Sequence, residues 1–367
     1  MGKHHKRTTY AYASAFRIGI AYLGCCIGAG YLSGQELFQF FSSAGVWGFA
    51  GLLLATVSLF AAGAVILSLA VDSGETRMDR IVVWFDCKPL RAVVAVFEIV
   101  FVFMVYTLCV AAFGSLFAQV TGLSHVWGSV AFCLLSSALA LFGVRGLLRF
   151  LSYVIPVLVP TTIVIALVAV FAADGLSFPL VDVGGLITGI WPFDAVTYAV
   201  FSLFCALPVL VPLGQNVRDA GTARRGALIG ALLIGSLAGI IILAIATAPE
   251  VASEAMPMLA LANRLHGVAG AIYAALLIVG IFSAGLSSQS AMSEYLMQRF
   301  SAKKRFIIPV TLLTSLVAFG FALFGFQELI GILYPIFGYI GFVPLGLLFV
   351  HAAVFYRKRR RQRADKH

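Results

Sequence analysis

The stretch Gly24-Cys25-Cys26-Ile27-Gly28-Ala29-Gly30-Tyr31-Leu32-Ser33-Gly34-Gln35-Glu36 places four glycines, two thiols and a carboxylate inside an apolar run. Glycine tolerates unwound backbone. A helix that unwinds in mid-span frees carbonyls that can ligate a cation and N–H groups that can hold a carboxylate. The same glycines also fit close helix packing, because Gly24/Gly28 and Gly30/Gly34 are small-xxx-small pairs. An ionisable group at membrane depth is a functional candidate. Glu36 could hold a solute ammonium, carry a proton or lock an outer gate. Simple bonding to local N–H groups near the interface is the plainer alternative. On a straight helix its Cα lies roughly 9 Å outward of Gly30.

A second stretch reads Ser283-Ala284-Gly285-Leu286-Ser287-Ser288-Gln289-Ser290. Ala284, Ser287 and Ser288 stand at i, i+3 and i+4 and so share one helical face. One carbonyl and two hydroxyls suit a hard cation such as sodium. Serines that bond back to their own helix are the alternative. Glu98 and Glu294 fall near one membrane surface and read as interfacial carboxylates or inner-gate partners. The six cysteines form no C-x-x-C pair, and five lie in apolar runs, so they read as small apolar fillers. There is no nucleotide loop, metal-ligand spacing or nucleophile–base signature. The expectation is a protein that is not an enzyme.

These residues need a scaffold, and composition names its solvent. The chain is 61% hydrophobic and 11% charged, whereas soluble domains are nearer half apolar and a quarter charged. Long continuous apolar runs suit membrane helices, not the short alternating strands of a barrel. Ten spans are predicted, at 15–42, 46–71, 92–119, 127–144, 150–173, 192–213, 226–248, 267–297, 306–325 and 331–356. The first run lacks a small-residue cleavage site after it, so it is expected to be a span and not a cleaved leader.

With the N-terminus in the cytoplasm, 24 of the 25 Lys and Arg fall in cytoplasmic segments, Arg264 being the exception. That one-sided charge fixes both the count and the direction of the spans. The expected location is therefore the plasma membrane, with both termini cytoplasmic. The net charge of +10 is a topology signal, so nucleic acid is not an expected partner. The basic tail 357–367 is a patch for anionic lipid. The amphipathic stretch around Ile81–Phe85 is expected to lie on the membrane surface.

The chain divides into a cytoplasmic segment 1–14, a five-helix repeat 15–173, an outer loop 174–191, a second and inverted five-helix repeat 192–356, and the tail. An odd number of spans per half inverts the second half. Each half opens on an interrupted helix, the second at Pro208 and Pro212. Paired broken helices at matching positions point to a secondary transporter.

The Gly-Ala-Gly-Tyr-Leu-Ser-Gly-Gln-Glu core of the first span, Gly28–Glu36, resembles that of the YkvI-type membrane proteins of the amino acid–polyamine–organocation superfamily. Residues 15–356 are similar to the LeuT-type inverted repeat of that superfamily. The resemblance implies an all-α membrane fold of about ten helices, with helices 1 and 6 broken. It implies a sodium site formed by the carbonyls of Gly24, Ile27 and Ala284 and the hydroxyls of Ser287 and Ser288. It also implies a solute site at Cys25, Cys26, Gly28 and Gly30 against Tyr106, closed by Phe201, Ser202, Phe204 and Cys205 of the sixth span. Many such carriers have an Asn and an Arg just after the first break, where this chain has Tyr31 and Gly34. Glu36 is not accounted for by the better-known members.

The function these readings predict is sodium-coupled transport of a small amino-acid-like solute by alternating access. Proton coupling through Glu36, for an amino acid or an amine, is one alternative. A non-transporting ligand receptor on the same scaffold is another. The oligomeric state stays open.

Overall fold

The computed structural model describes residues 12–142, 155–173, 175, 188–299 and 306–364. Every regular element among them is helical. Six helices are long and apolar enough to cross a bilayer, and four shorter apolar ones accompany them. Together they account for the ten expected spans. The turn 145–149, most of the outer loop 174–191 and the loop at 303–305 lie outside the described residues, and so does the side chain of Glu294.

The first span is three helices in series: α1 (Ala15–Cys26), α2 (Ala29–Ser33) and α3 (Gln35–Phe40). The Ser14 hydroxyl caps α1 by accepting from the Arg17 N–H at 3.3 Å. Ile27 and Gly28 are extended and make the expected break. A second interruption follows at Gly34, whose φ of +83° lies in the left-handed region. The second and third spans are α4 (Trp47–Ser73) and α6 (Lys88–Thr121), joined through the short α5 (Met78–Val82). Next come α7 (His125–Phe142) and α8 (Ile155–Phe171).

The second half begins with α9 (Trp191–Leu213) and α10 (Ala220–Ala246). The connection that follows folds into the protein as α11 (Pro257–Leu265), with Met258 and Leu259 fully buried. It leads to α12 (Gly267–Arg299), α13 (Ile307–Ala322) and α14 (Phe326–Ala364).

Packing relates the two halves. α1 and α4, the first two spans of one half, pack on α9 and α10, the first two of the other. α6 and α7 pack likewise on α12 and α13, and α14 touches both groups. The cavity described below lies between the groups, where α1, α9, α6 and α12 face one another.

Two expectations change. Helix α9 runs unbroken through Pro208 and Pro212. A proline removes one rung of the ladder and crowds the carbonyl four residues back, which bends a helix more readily than it unwinds it. Both prolines are exposed, so their rings meet no packed neighbour that would force a break. The sixth span is therefore continuous, unlike the first.

The amphipathic stretch after α4 is also not a free surface helix. Ile81, Val82 and Val83 are fully buried, and α5 packs on α14 and α9. His351 of α14 bonds the Ile81 carbonyl through Nδ1 at 2.7 Å and stacks on Trp84 at 5.0 Å. Protein, not lipid, covers that apolar face.

Helix α14 continues for 39 residues, so the basic tail leaves the bundle as helix. Asp72 at the end of α4 accepts from Tyr356 at 3.0 Å and pairs with Arg359 at 2.6 Å. Ala13 bonds the Asn216 carbonyl at 2.7 Å. Ala13, the end of α14 at Arg359, the loop after α4 and the loop after α9 therefore share one face, the terminal face. On the opposite face, Arg264 forms an ion pair with Glu250.

Candidate functional site

The break after α1 leaves the last carbonyls of α1 and the first N–H groups of α2 without intrahelical partners. In lipid such groups need partners from protein or ligand, and two tyrosines fix the short helix that follows. Tyr273 of α12 donates to the Leu32 carbonyl at 2.6 Å, and Tyr31 donates to the Ile234 carbonyl of α10. Both rings are fully buried. Tyr31 thus ties α2 to α10, and Gly34 turns the chain after it.

The turn at Gly34 decides where Glu36 goes. A Cβ at Gly34 would stand 2.9 Å from Ile245 Cδ1 and 3.1 Å from Met258 Cγ, in a conformation that L side chains rarely adopt. The left-handed residue at Gly34 separates α2 from α3. The Glu36 carboxylate folds back over the break, so that a Cβ built on Gly30 would lie 2.7 Å from its Oε2. The straight-helix figure of about 9 Å is for the Cα; the side chain reaches back from there, so the carboxylate itself lies beside α2.

Glu36 is buried, with 3% of its surface exposed. Tyr198 of α9 donates to Oε1 at 3.2 Å, and Tyr334 of α14 donates to Oε2 at 2.9 Å. The described residues give it no ion-pair partner.

A cavity of about 440 Å³ runs from the break toward the terminal face. Twelve of the fifteen residues singled out from sequence line it: Cys25, Cys26, Ile27, Gly28, Gly30, Glu36, Phe201, Phe204, Cys205, Ala284, Ser287 and Ser288. Met78, Glu98, Pro208 and Val209 line it toward the terminal face, and Tyr334 and Phe326 close the other end. The walls are mostly apolar, with five aromatic rings among them. Phe201 stacks on Tyr334 with ring centres 4.0 Å apart, and Phe101 packs on Phe204 at 5.1 Å. Among the described residues, no Lys, Arg or His lines it.

Three of the fifteen do not reach the cavity. Tyr106 points into a polar cluster between α6, α7 and α13, where its hydroxyl meets Ser136 at 3.0 Å and Ser315 at 2.9 Å. It falls just outside the cavity-facing stripe of α6, which passes through Glu98, Phe101, Val105 and Leu108. Ser202 is buried behind the wall, and its carbonyl lies 3.8 Å from the Cys26 thiol. Gly24 is exposed and off the lining.

Sequence reasoning missed Phe101, Glu98 and Tyr334 as lining residues. The 98, 101, 105, 108 spacing on α6 carried a readable signal for the first two. Nothing in the sequence marks Tyr334.

The eighth-span hydroxyls behave as the alternative reading expects. Ser287 donates to the Ser283 carbonyl at 2.8 Å, and Ser288 to the Ala284 carbonyl at 2.9 Å. A hydroxyl that donates to its own helix keeps acceptor lone pairs.

No family model matches the chain. It is similar to the uncharacterized membrane protein YkvI of Bacillus subtilis (strain 168), with 23% identity over 91% of this chain and 95% of the relative. It is also similar to the uncharacterized protein YyaD of the same organism, with 25% identity over 90% and 94%. Two solved structures share its fold. One is MhsT in complex with L-phenylalanine, with a TM-score of 0.58, 18% identity, and coverage of 92% of this chain and 89% of that one. The other is Mhp1 in an inward-facing conformation, with a TM-score of 0.60, 13% identity, and coverage of 96% and 79%. The all-α, LeuT-type membrane fold implied by the first-span motif is the fold observed.

Proposed function

We propose that this protein is a secondary active transporter that moves a small amino-acid-like solute across the plasma membrane by alternating access, coupled to sodium. The observation that carries the reading is one cavity at the break of the first span, closed toward one face and extending toward the other. Two neighbours of the same fold, one holding L-phenylalanine and one inward-facing, support it. Solute and ion would bind the outward-facing state together and permit the change to the inward-facing one, because only differential affinity for two states can couple them. No covalent step is asked of any residue. Uptake of labelled amino acids and amines into liposomes holding the purified protein tests the reading. Binding with no uptake or counterflow would make the chain a receptor on a transporter scaffold.

The charge distribution supports a cytoplasmic terminal face, with the cavity open to the cell interior. A membrane-impermeant maleimide on intact cells is expected to modify Ser253→Cys and to leave Arg80→Cys and Arg218→Cys untouched, all three in a cysteine-free background. Labelling of the last two from outside would reverse the orientation.

Sodium would sit between the carbonyls of Ile27 and Ala284 and the Ser287 and Ser288 hydroxyls, with the Gly24 carbonyl as the outlying ligand. The double replacement Ser287→Ala/Ser288→Ala removes two oxygens without adding bulk. A ligand that binds only the folded state raises its melting temperature. The expected result is loss of the sodium-dependent rise while the sodium-free melting temperature stays within a few degrees. An undiminished rise places the ion elsewhere.

Proton coupling is a second reading, favoured by the return of Glu36 to the break without a cationic partner. Uptake driven by a proton gradient in sodium-free buffer, abolished by Glu36→Gln, would establish it in place of sodium.

A further inference from the structure

Helix α12 faces two ways. Ala284, Ser287 and Ser288 line the cavity. Gln289 stands roughly 150° round the helix from the middle of that face, at about 100° per residue. There it is 1% exposed and enters the polar cluster that holds Tyr106. We propose that Gln289 is a positioning residue for the ion site: by tying α12 to α7 and α13, it fixes the rotation at which Ala284, Ser287 and Ser288 meet the break. This rests on the reading of those three residues as sodium ligands.

The hydrogen bonds join three helices. The Gln289 amide donates to Ser137 Oγ of α7 at 3.0 Å and to Ser315 Oγ of α13. Ser315 donates onward to the Thr311 carbonyl at 3.0 Å, and Ser137 and Ser315 lie 2.8 Å apart. Each hydroxyl brings one hydrogen and the amide brings two, and both of the amide's are used. One turn further along α12, Ser293 meets the Thr311 hydroxyl of α13 at 3.1 Å. The helices come this close because residue 285 is glycine: a Cβ there would run into Phe132 of α7 and stand 3.0 Å from Cys109 Cβ of α6. A hydrogen bond weakens steeply off its axis. Two from one planar amide therefore hold a helix against turning more firmly than apolar contact does.

Rotation matters because the ligand oxygens move with the helix. Ser287 and Ser288 donate to carbonyls of α12 itself, so their lone pairs point where α12 points them. An oxygen about 4 Å from the axis moves roughly 0.7 Å for a turn of about 10°. A binding constellation must hold to about 0.5 Å. The Ile27 carbonyl belongs to the break after α1, which packs with α4, α9 and α10. The site thus spans the two packing groups, and α12 must keep station with its own. The amide also has a cost. Its Oε1 is buried with no hydrogen-bond partner among the described residues, and an unpaired buried oxygen is destabilising. A methionine would fill the same space without that oxygen. What glutamine adds is direction.

The test is the sodium dependence of the melting temperature of the purified full-length protein, with N-methylglucamine chloride holding the ionic strength constant. Gln289→Met keeps the length and removes both donors. The half-saturating sodium concentration is expected to rise about tenfold, as is usual when a group that orients metal ligands is lost. Ser137→Ala/Ser315→Ala removes the two acceptors instead and should give the same rise. Combining all three changes should add little, because they break one tie. Ser136→Ala removes a member of the cluster bonded to Tyr106 and not to Gln289. It should leave the half-saturating concentration within about twofold of the parent. A merely structural amide would lower the sodium-free melting temperature and leave the half-saturating concentration where it is. That result in both the Gln289 and the double serine variant overturns the proposal. A similar tenfold rise in Ser136→Ala would trace the effect to general loosening of the cluster and overturns it too. A parent with no sodium response removes the ion site itself, and this inference with it.

Discussion

Replacing Glu36 with glutamine is expected to abolish solute binding without destabilising the protein. The side chain keeps its size, so the packing of Phe40 against Tyr198, with ring centres 5.3 Å apart, is undisturbed. The charge goes, and with it the partner of any ammonium at the closed end of the cavity. Removing one member of a buried, hydrogen-bonded charge pair costs about 2–5 kcal/mol. The dissociation constant of a cationic solute should therefore rise at least about 30-fold.

Stability should move the other way or not at all. In the absence of solute the carboxylate is buried with no cation beside it, and neutralising it removes that desolvation cost. One tyrosine hydroxyl must turn to accept from the new amide, a mismatch of about 1–3 kcal/mol at most. The melting temperature of solute-free Glu36→Gln should thus equal or exceed that of the parent, with the sodium response intact. A large fall in melting temperature would make Glu36 a structural carboxylate. Unchanged affinity would remove it from the solute site.

Replacing Gly30 with alanine is expected to damage the same site from the opposite side. A Cβ there meets Glu36 Oε2 at 2.7 Å, Tyr334 Oη at 2.9 Å and Ile330 Cδ1 at 3.3 Å. The first two atoms are the partners of one hydrogen bond, so the methyl wedges that pair apart. Overpacking of this kind costs about 1–3 kcal/mol. Alanine recovers up to about 1 kcal/mol through its better helix propensity, so the protein should still fold. Solute affinity should fall about tenfold or more. Adding Tyr334→Phe removes the hydroxyl that the methyl meets and should restore part of the melting temperature while affinity stays low. If Gly30→Ala binds solute like the parent, Glu36 does not hold its place over the break during binding.

Several features were legible in the residues alone. Apolar run length and one-sided Lys and Arg placement yield the ten spans, because lipid permits few other ways to satisfy a backbone. The glycine cluster locates the first break, since only a stretch so poor in side chains unwinds cheaply in mid-membrane. The spacing of Ala284, Ser287 and Ser288 puts them on one face, and they do line the cavity.

Tertiary structure decided the rest. Pro208 and Pro212 read as a second break, yet α9 is continuous, because whether a proline bends or breaks a helix depends on what packs against it. Ile81 and Val82 read as a surface helix, but the face they need is supplied by α14, far away in sequence. Tyr106 sits beside the cavity stripe in sequence and is drawn off it by Ser136 and Ser315. Glu36 shows the limit most clearly. Helical rise counted from Gly30 says where its Cα stands, but not that its carboxylate, two residues past the left-handed Gly34, lies beside Gly30. Residue type and spacing determine which groups enter the membrane and at what depth. Side-chain direction depends on the dihedrals between helices and on distant contacts, and those exist only in the assembled bundle.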